Sequence, residues 1–425
     1  MLNIREICSG HTTQEAVHPV IGELQGSMIL GIAAQVRQLQ IEGREICNLT
    51  VGDFNPAFFP IPEFIAEEVQ KAYRDGQTNY PPSDGVLELR EAISELYERE
   101  FGLSYGVDGV CVASGARPPL FSCYQMFLGE GENSVSFLPS WNNSYYAHMI
   151  GTNHKFIPTT AESNFHPTVE QIKEVVSDVN LIALNTPLNP TGTVMSKEVI
   201  QGIAEVVVAE NKKRRGKRRP VMVMYDQVYW MLLQEGMKHY SPVELVPDVA
   251  PYIVHIDAIS KSFASTGLRV GWAVLPPHLQ PKMKAIIGHM GAWAARPEQI
   301  ATAKFLRRTD LIAEYMEEMK ARVDQRLQLL YQGIMDMRKR GLPVNAIAPQ
   351  GAIYLSFHVD LIGKKFQTND EICNFLLEEA GVAVVPFQAF DMLENNGWFR
   401  MSVGACGVEE LERALERIEK LLLNL

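Results

Sequence analysis

The sequence predicts an α/β fold, with a large domain built on a mostly parallel sheet flanked by helices and a smaller α+β domain. The chain has 425 residues, which is too long for one ordinary core. Short apolar runs rich in β-branched residues alternate with longer stretches of helical period, as in parallel sheets covered by helices on both faces. In the last third of the chain this alternation gives way to a mixture of helices and strands.

Buried strands of the large domain are predicted at Val110–Ala113, Ser134–Phe137, Leu181–Leu184, Val221–Tyr225 and Ile253–Ile256. Apolar residues at helical spacing lie between them at Thr168–Val176 and Val199–Ala209. In such a sheet, ligands bind beyond the carboxyl ends of the strands. Polar residues that directly follow a strand are therefore the first candidates for a site.

The last third predicts a smaller α+β domain that begins with a long amphipathic helix, Ile312–Arg338. The other predicted elements are Ala352–Phe357, Glu371–Glu379, Val382–Val385, Phe399–Val403 and Glu409–Leu423. A strand near Ile46–Thr50 is expected to join this domain. We interpret residues 1–55 as an N-terminal segment joining the small domain, 56–305 as the large domain and 306–425 as the small domain.

The composition argues against several classes of function. A formal net charge of −11 disfavours general binding to nucleic acid or to membrane surfaces. No apolar run is long enough to span a bilayer, and the first residues lack the pattern of a signal peptide. The cysteines show no CxxC spacing, which is typical of reduced thiols in a cytoplasmic protein without a metal site.

One basic run departs from the acidic total. Lysines and arginines fill residues 212–219, interrupted by Gly216. The run is either a patch for a polyanion or a solvated turn between a helix and the strand Val221–Tyr225. A charge run alone is weak evidence for a ligand, so we favour the turn.

The first candidate for chemistry is Lys261, in the segment SKSFASTGLRVG at residues 260–271. A lysine at the end of a strand is placed to be partly desolvated, which lowers its pKa and makes it a nucleophile. Arg269, eight residues later, can bind a phosphate with two hydrogen bonds. The alternative is a surface lysine with a structural arginine.

Three further polar segments follow predicted strands. In NTPLNPTG (residues 185–192), Asn189 could donate to a phenolate-like oxygen, although such clusters are also common in loops. In YDQVY (residues 225–229), Asp226 is either a buried carboxylate that needs a cationic partner or a helix N-cap. In SGAR (residues 114–117), small residues before an apolar stretch suit a phosphate at a helix N-terminus.

Together and in this order, these segments resemble fold type I pyridoxal-phosphate enzymes, specifically the class I/II aminotransferase superfamily and its aspartate aminotransferase-like members. The resemblance runs from about Leu49 to Arg400. It implies a pyridoxal 5'-phosphate-dependent aminotransferase whose large domain binds the cofactor.

The resemblance also implies roles for single residues at the cofactor. Lys261 would form the Schiff base and then move the Cα proton, and Asp226 would pair with the pyridine nitrogen. Tyr229 and Asn189 would hydrogen-bond the ring oxygen. Trp141 would stack on the pyridine ring, although an ordinary core tryptophan is the alternative.

The cofactor phosphate would be bound by Arg269 with Ser114 and the N–H groups of Gly115 and Ala116. Family members commonly have a serine three residues before the lysine, where this chain has Ala258. Ser260 or Ser265 is the candidate to replace it, and we assign Ser260 to the cofactor site. The pair Pro118-Pro119 is an unusual start for the helix that follows.

The substrate residues that the resemblance implies are Arg400, which would clamp the α-carboxylate, with Gly52 and Asn189 beside it. Tyr80 matches a tyrosine that reaches the phosphate across a dimer interface, so a homodimer with shared sites is expected.

Arg117 takes the place of a lysine that lies near the substrate's distal carboxylate in one bacterial subgroup, which suggests an acidic substrate. The equal alternative is that Arg117 pairs with a nearby carboxylate of the protein. Arg296 could serve instead.

The predicted reaction is transamination between an amino acid, possibly aspartate or glutamate, and a 2-oxo acid. The alternative is a lyase or decarboxylase that uses the same cofactor. A non-catalytic regulator on the same fold is disfavoured, because the set Lys261, Asp226 and Tyr229 is needed only for catalysis.

Overall fold

The computed structural model describes residues 1–12, 16–24, 26 and 28–425. In the described residues the α-helices with defined bounds are Ile4–Ile7, Pro19–Gly22, Met28–Ile41, Glu63–Arg74, Leu87–Phe101, Arg117–Phe127, Asn143–Met149, Val169–Val175, Lys197–Arg214, Pro242–Leu245, Ile259–Ser262, Gln280–Met290, Arg296–Leu306, Thr309–Lys339, Asn369–Ala380 and Val408–Leu423. The strands are β1 Cys47–Asn48, β2 Val110–Ala113, β3 Asn133–Leu138, β4 Asn153–Pro158, β5 Leu181–Asn185, β6 Met222–Asp226, β7 Ile253–Ala258, β8 Gly271–Val274, β9 Val344–Ala346, β10 Tyr354–Val359, β11 Val382–Ala383, β12 Val385–Pro386 and β13 Trp398–Ser402. None of these helices has the length and apolarity needed to cross a bilayer.

The large sheet has seven strands in the order β2-β8-β7-β6-β5-β3-β4. All neighbours are parallel except β8, which runs antiparallel to both β2 and β7. This is the predicted mostly parallel α/β sheet. The strands β4 and β8 were not predicted, because β4 is a partly exposed edge strand with polar residues and β8 spans only Gly271–Val274.

The carboxyl ends of the central strands place the candidate residues side by side. Asn185 ends β5 and is in register with Asp226, which ends β6. The next strand, β7, ends at Ala258 and is followed at once by the short helix that contains Lys261. Strand register therefore sets the spacing of these groups.

A second sheet in the last third has the antiparallel order β12-β13-β10-β9, and β13 contains Arg400. The strand expected near Ile46–Thr50 is β1, which pairs in parallel with β11. The N-terminal segment is thereby hydrogen-bonded to the C-terminal part of the chain.

The basic run 212–219 spans a helix end and a turn, as predicted, but it is not fully solvated. The helix Lys197–Arg214 ends within the run, and the side chain of Arg214 is only 2% exposed. It donates to Glu210 at 2.9 Å and to the carbonyl of Val176 at 2.7 Å. Lys213, by contrast, is 75% exposed. Arg214 is therefore a buried structural arginine.

We predict that Arg214→Ala lowers the free energy of unfolding by about 3 kcal/mol, because the substitution removes the buried partner of Glu210 at 2.9 Å and leaves that carboxylate, among the described residues, only the exposed Lys213 at 3.7 Å. The matched control, Lys213→Ala, removes an exposed pair with the same glutamate and should cost less than about 1 kcal/mol. Urea unfolding of the variants measures both changes. Equal effects of the two substitutions would contradict the assignment of Arg214.

Candidate active site

One pocket at the carboxyl ends of the large sheet brings most of the predicted site residues together. Of these, the following line it: Gly52, Ala116, Arg117, Trp141, Asn189, Asp226, Tyr229, Ser260, Lys261, Arg269 and Arg400. Ser114 and Gly115 both contact the side chain of Arg269. Tyr80 lies outside the pocket.

Lys261 lies in the pocket with its amine directed at the N-terminal segment. Its Nζ donates to the carbonyl oxygen of Gly52 at 2.5 Å. Burial lowers the pKa of Lys261 to about 8; nearby Asp53 opposes this change, whereas Arg400 and other arginines contribute to it. About a tenth of the amine is therefore neutral at pH 7, and the neutral amine is the nucleophilic form.

Asp226 ends β6 inside the pocket and has no cationic partner in hydrogen-bonding range among the described residues. Its Oδ1 accepts from the N–H of Val228 at 3.2 Å. Burial raises the pKa of Asp226 to about 7, with Val228 and the more distant charge of Lys261 opposing the rise. The helix-cap alternative is wrong, because a turn and not a helix follows. A ligand that brings a positive charge would stabilise this carboxylate.

The turn after β2 forms a small cradle with Arg269. Its Nη2 donates to the carbonyl of Ser114 at 3.2 Å, and its Nη1 donates to that of Thr266 at 2.8 Å. Gly115 has a φ of +87°, and a Cβ there would lie 2.4 Å from Arg269 Nη2. Only glycine fits this position. The helix Arg117–Phe127 begins directly after this turn, but Pro118 and Pro119 have no N–H, so the charge of Arg269 is the main feature of the cradle that suits an anion.

The Pro-Pro pair and the missing serine both have local explanations. Pro118 lies in the first turn of the helix Arg117–Phe127, where a proline costs no hydrogen bond. Ser265 Oγ donates to the carbonyl of Phe263 at 2.8 Å. Ser260, in contrast, lines the pocket. Of the two serines, Ser260 is therefore the one that could replace the family serine whose position Ala258 occupies.

Arg400 is a buried guanidinium that joins three parts of the chain. Its Nη1 donates to Asn189 Oδ1 at 3.0 Å, and its Nη2 donates to the carbonyl of Thr50 at 2.6 Å. Its Nε has no hydrogen-bond partner in the described part of the chain. Its Cζ lies 4.7 Å from the ring centroid of Tyr354 and 5.0 Å from that of Phe390. A carboxylate of a ligand would give this charge the partner it lacks.

Several pocket residues were missed by the sequence analysis. Tyr354 places its hydroxyl 2.6 Å from that of Tyr229, but within a predicted apolar strand it looked like an ordinary core residue. Asp53 accepts from Thr266 Oγ1 at 2.6 Å. Ile29 also lines the pocket, although it is distant in sequence from every motif. Of these three residues, only Asp53 could have been found from the sequence, because it directly follows the predicted site residue Gly52.

Arg117 stacks on Trp141, with its Cζ 4.7 Å from the ring centroid. No carboxylate of the described residues forms an ion pair with it, so the protein-paired alternative finds no support there. Arg296 instead donates to Gln77 at 2.9 Å. Tyr80 is 81% exposed on the surface of the chain.

Comparisons with known proteins identify the family of this chain. The sequence matches the family model described as "Aminotransferase class I and II" over residues 44–418. The chain belongs to this family. It is 29% identical over 408 residues to an aspartate aminotransferase of Geobacillus stearothermophilus, covering 95% of this chain and 98% of that protein. It is also 29% identical to an aspartate/prephenate aminotransferase of Thermus thermophilus, covering 94% of this chain and 97% of that protein.

Solved structures show the same fold. The aspartate aminotransferase from Thermus thermophilus with maleate has a TM-score of 0.85 and 27% identity, covering 96% of this chain and 100% of that one. An aromatic aminotransferase from Pyrococcus horikoshii has a TM-score of 0.80 and 28% identity, covering 91% and 98%. This chain is therefore a pyridoxal-phosphate-dependent aminotransferase of fold type I, an enzyme family that acts on amino acids and 2-oxo acids.

The pocket of this aminotransferase fits the family cofactor. It offers a lysine of lowered pKa, a buried carboxylate without a cationic partner, and a glycine-lined anion cradle. These three features would suit the aldehyde, the pyridine nitrogen and the phosphate of pyridoxal 5'-phosphate, in that order.

The raised pKa of Asp226 predicts a pH-dependent stability of the cofactor-free aminotransferase. The carboxyl releases its proton near pH 4 when unfolded and near about 7 when folded, so the folded state becomes less stable as pH rises through this window. Asp226→Asn carries no charge and should be more stable than the wild type by up to about 4 kcal/mol at about pH 8.

Urea unfolding of both cofactor-free proteins at about pH 8 and about pH 5 tests this expectation, because groups that Asp226 does not reach titrate alike in the two proteins. The difference should shrink at the lower pH. The same difference at both pH values would mean that Asp226 does not titrate in this range.

Proposed function

We propose that this aminotransferase binds pyridoxal 5'-phosphate at Lys261 and transfers the amino group of an acidic amino acid, aspartate or glutamate, to a 2-oxo acid. The observation that carries the proposal is the joint placement of Lys261, Asp226 and Arg400 in one pocket. The bound cofactor would supply an electron sink for the bond broken at the substrate Cα.

Cofactor binding is assigned to groups at three edges of the pocket. Asp226 would pair with the pyridine nitrogen, and the rise in its pKa makes that pairing favourable. Arg269 and Ser260 would bind the phosphate, together with Ser114 and the N–H groups of Gly115 and Ala116. Trp141 would cover the ring face, and Tyr229 and Asn189 would contact the ring oxygen.

Lys261 would bond the cofactor and, once displaced by substrate, accept and return the Cα proton. Its lowered pKa supports both tasks, because a general base works best with a pKa near the working pH. The residue is part-buried, and its Nζ already contacts Gly52 at the edge of the carboxylate clamp.

Arg400 would clamp the α-carboxylate, with Asn189 and Gly52 beside it. Its position fixes the substrate relative to the proton acceptor, because Thr50 and Asn189 restrain the guanidinium on one side. The unpartnered Nε leaves a donor free in the described site. Such orientation lowers the barrier by removing rotational freedom before the reaction.

An acidic substrate is proposed because Arg117 is a cation of the pocket that no protein carboxylate in the described chain neutralises. The relatives named aspartate aminotransferases support this preference, while the aromatic aminotransferase of similar structure shows that the fold also takes other side chains.

We further propose that the enzyme is a homodimer in the cytoplasm. Tyr80 is exposed here and packs edge-on against Trp293, with the ring centroids 5.5 Å apart. An exposed tyrosine at this sequence position is consistent with contact to the phosphate of a second copy. The free state of the cysteines is consistent with a reducing compartment.

The cofactor assignment predicts that Lys261→Ala folds but retains no cofactor covalently. Borohydride reduction followed by mass spectrometry should find the added mass on Lys261 in the wild type and none on the variant. Lys282→Ala removes an exposed lysine and is the matched control, which should label like the wild type. Labelling of another lysine in Lys261→Ala would refute the assignment.

The substrate assignment predicts that wild type prefers aspartate over phenylalanine in kcat/KM and that Arg117→Gln loses this preference. A charge-assisted contact to a second carboxylate contributes roughly 1.5–3 kcal/mol, or about one to two decades of selectivity. Arg215→Gln removes an exposed arginine outside the pocket and is the matched control, whereas Arg296→Gln tests the other arginine that the sequence suggested for this role. An unchanged preference in Arg117→Gln would contradict the role of Arg117 and leave the aminotransferase reaction unaffected.

A further inference from the structure

Two phenols lie against each other at the pocket, and only one of them has a role in the proposed function. The hydroxyls of Tyr229 and Tyr354 are 2.6 Å apart, and the rings meet edge to face with centroids 5.5 Å apart. Both side chains are buried and both line the pocket. Among the described residues, Tyr229 is the hydrogen-bond partner of the Tyr354 hydroxyl.

The space for this contact depends on Gly52. A Cβ at Gly52 would lie 2.9 Å from the hydroxyl oxygen of Tyr354, which is too close for a real side chain. The glycine that presents its carbonyl to Lys261 therefore also lets Tyr354 reach Tyr229. Gly52, Tyr354 and Tyr229 are packed together on the side of the pocket where Arg400 lies.

Only one of the two phenols can donate to the other, and the charges around them favour Tyr354. The pKa of both phenols is raised, mainly by burial, and that of Tyr229 is raised further. At Tyr354 the charge of Arg400, 4.7 Å from the ring centroid, offsets more of the rise. The more acidic phenol is the better donor, so Tyr354 donates and Tyr229 accepts.

The other charged groups that act on the pair are Asp226, Asp53 and Lys261. The two carboxylates raise the pKa of Tyr354, and Asp226 also raises that of Tyr229. Lys261 Nζ lies 5.9 Å from the ring centroid of Tyr229. Asp226 and Arg400 act on both phenols, but Arg400 is the largest influence after burial on the pKa of Tyr354 and a smaller one on that of Tyr229.

We propose that Tyr354 is a positioning residue that donates its proton to Tyr229 and so leaves the hydroxyl proton of Tyr229 free to be donated to the ring oxygen of the cofactor. The inference rests on the proposed binding of pyridoxal phosphate at Lys261. Without Tyr354, the hydroxyl of Tyr229 loses the donor that fixes its rotation and its donation weakens.

The consequence is a change in the acidity of the lysine nitrogen that is bonded to the cofactor. Donation from Tyr229 stabilises negative charge on the ring oxygen, which then attracts the proton of that nitrogen less strongly. Weakened donation therefore raises the pKa of the lysine nitrogen. A net hydrogen-bond effect of about 1 kcal/mol corresponds to somewhat less than about one pKa unit.

The test is a pH titration of cofactor absorbance in the loaded enzyme without substrate. Tyr354→Phe should raise the pKa of the lysine nitrogen by about half a unit and lower kcat/KM about threefold to tenfold. Tyr229→Phe should raise that pKa further. Tyr315→Phe is the matched control, because its hydroxyl bonds the carbonyl of Pro60 at 2.9 Å outside the pocket, and it should leave the titration unchanged.

The double variant decides whether Tyr354 acts through Tyr229. If it does, adding Tyr354→Phe to Tyr229→Phe shifts the pKa no further. A fully additive shift, or an unchanged pKa in Tyr354→Phe alone, overturns the inference while the proposed function stands. If wild type shows no cofactor bound to Lys261 after borohydride reduction, the proposed function itself fails.

Discussion

The buried guanidinium of Arg400 is the interaction on which the arrangement of the pocket depends. It lies on the second sheet, yet it donates to Thr50 in the N-terminal segment and to Asn189 in the loop after β5. Three distant parts of the chain are thereby fixed to one charge. A buried charge without a carboxylate partner is costly unless a ligand supplies one, so the same contact that assembles the site also defines what it binds.

The large sheet supplies the other half of the site through its strand ends. Parallel strands end at the same edge, so register places Asn185 beside Asp226, and Lys261 lies in the short helix that follows the next strand. Desolvation at this edge then moves two pKa values towards neutrality, that of the amine downward and that of the carboxyl upward. Both groups are thus able to exchange a proton or gain a partner near the pH at which enzymes work.

The three arginines of the pocket lie in different parts of it. Arg400 lies at the carboxylate end, Arg269 lies at the glycine cradle, and Arg117 stacks on Trp141. Each of the three arginines contributes to the lowered pKa of Lys261. A cofactor and a substrate that are both anionic would neutralise these charges together.

The sequence by itself determined the fold class, the strand ends and most of the pocket, because a buried strand followed by a polar turn is a local pattern that needs no distant partner. Lys261, Asp226 and Arg269 could be found in this way. The tertiary structure decided what depends on contacts between remote segments. Tyr354 meets Tyr229 from 125 residues away, and the burial of Arg214 depends on a carbonyl 38 residues earlier. Apolar periodicity predicts that such a residue is buried. Only the packing of one element on another determines which polar atom its side chain contacts.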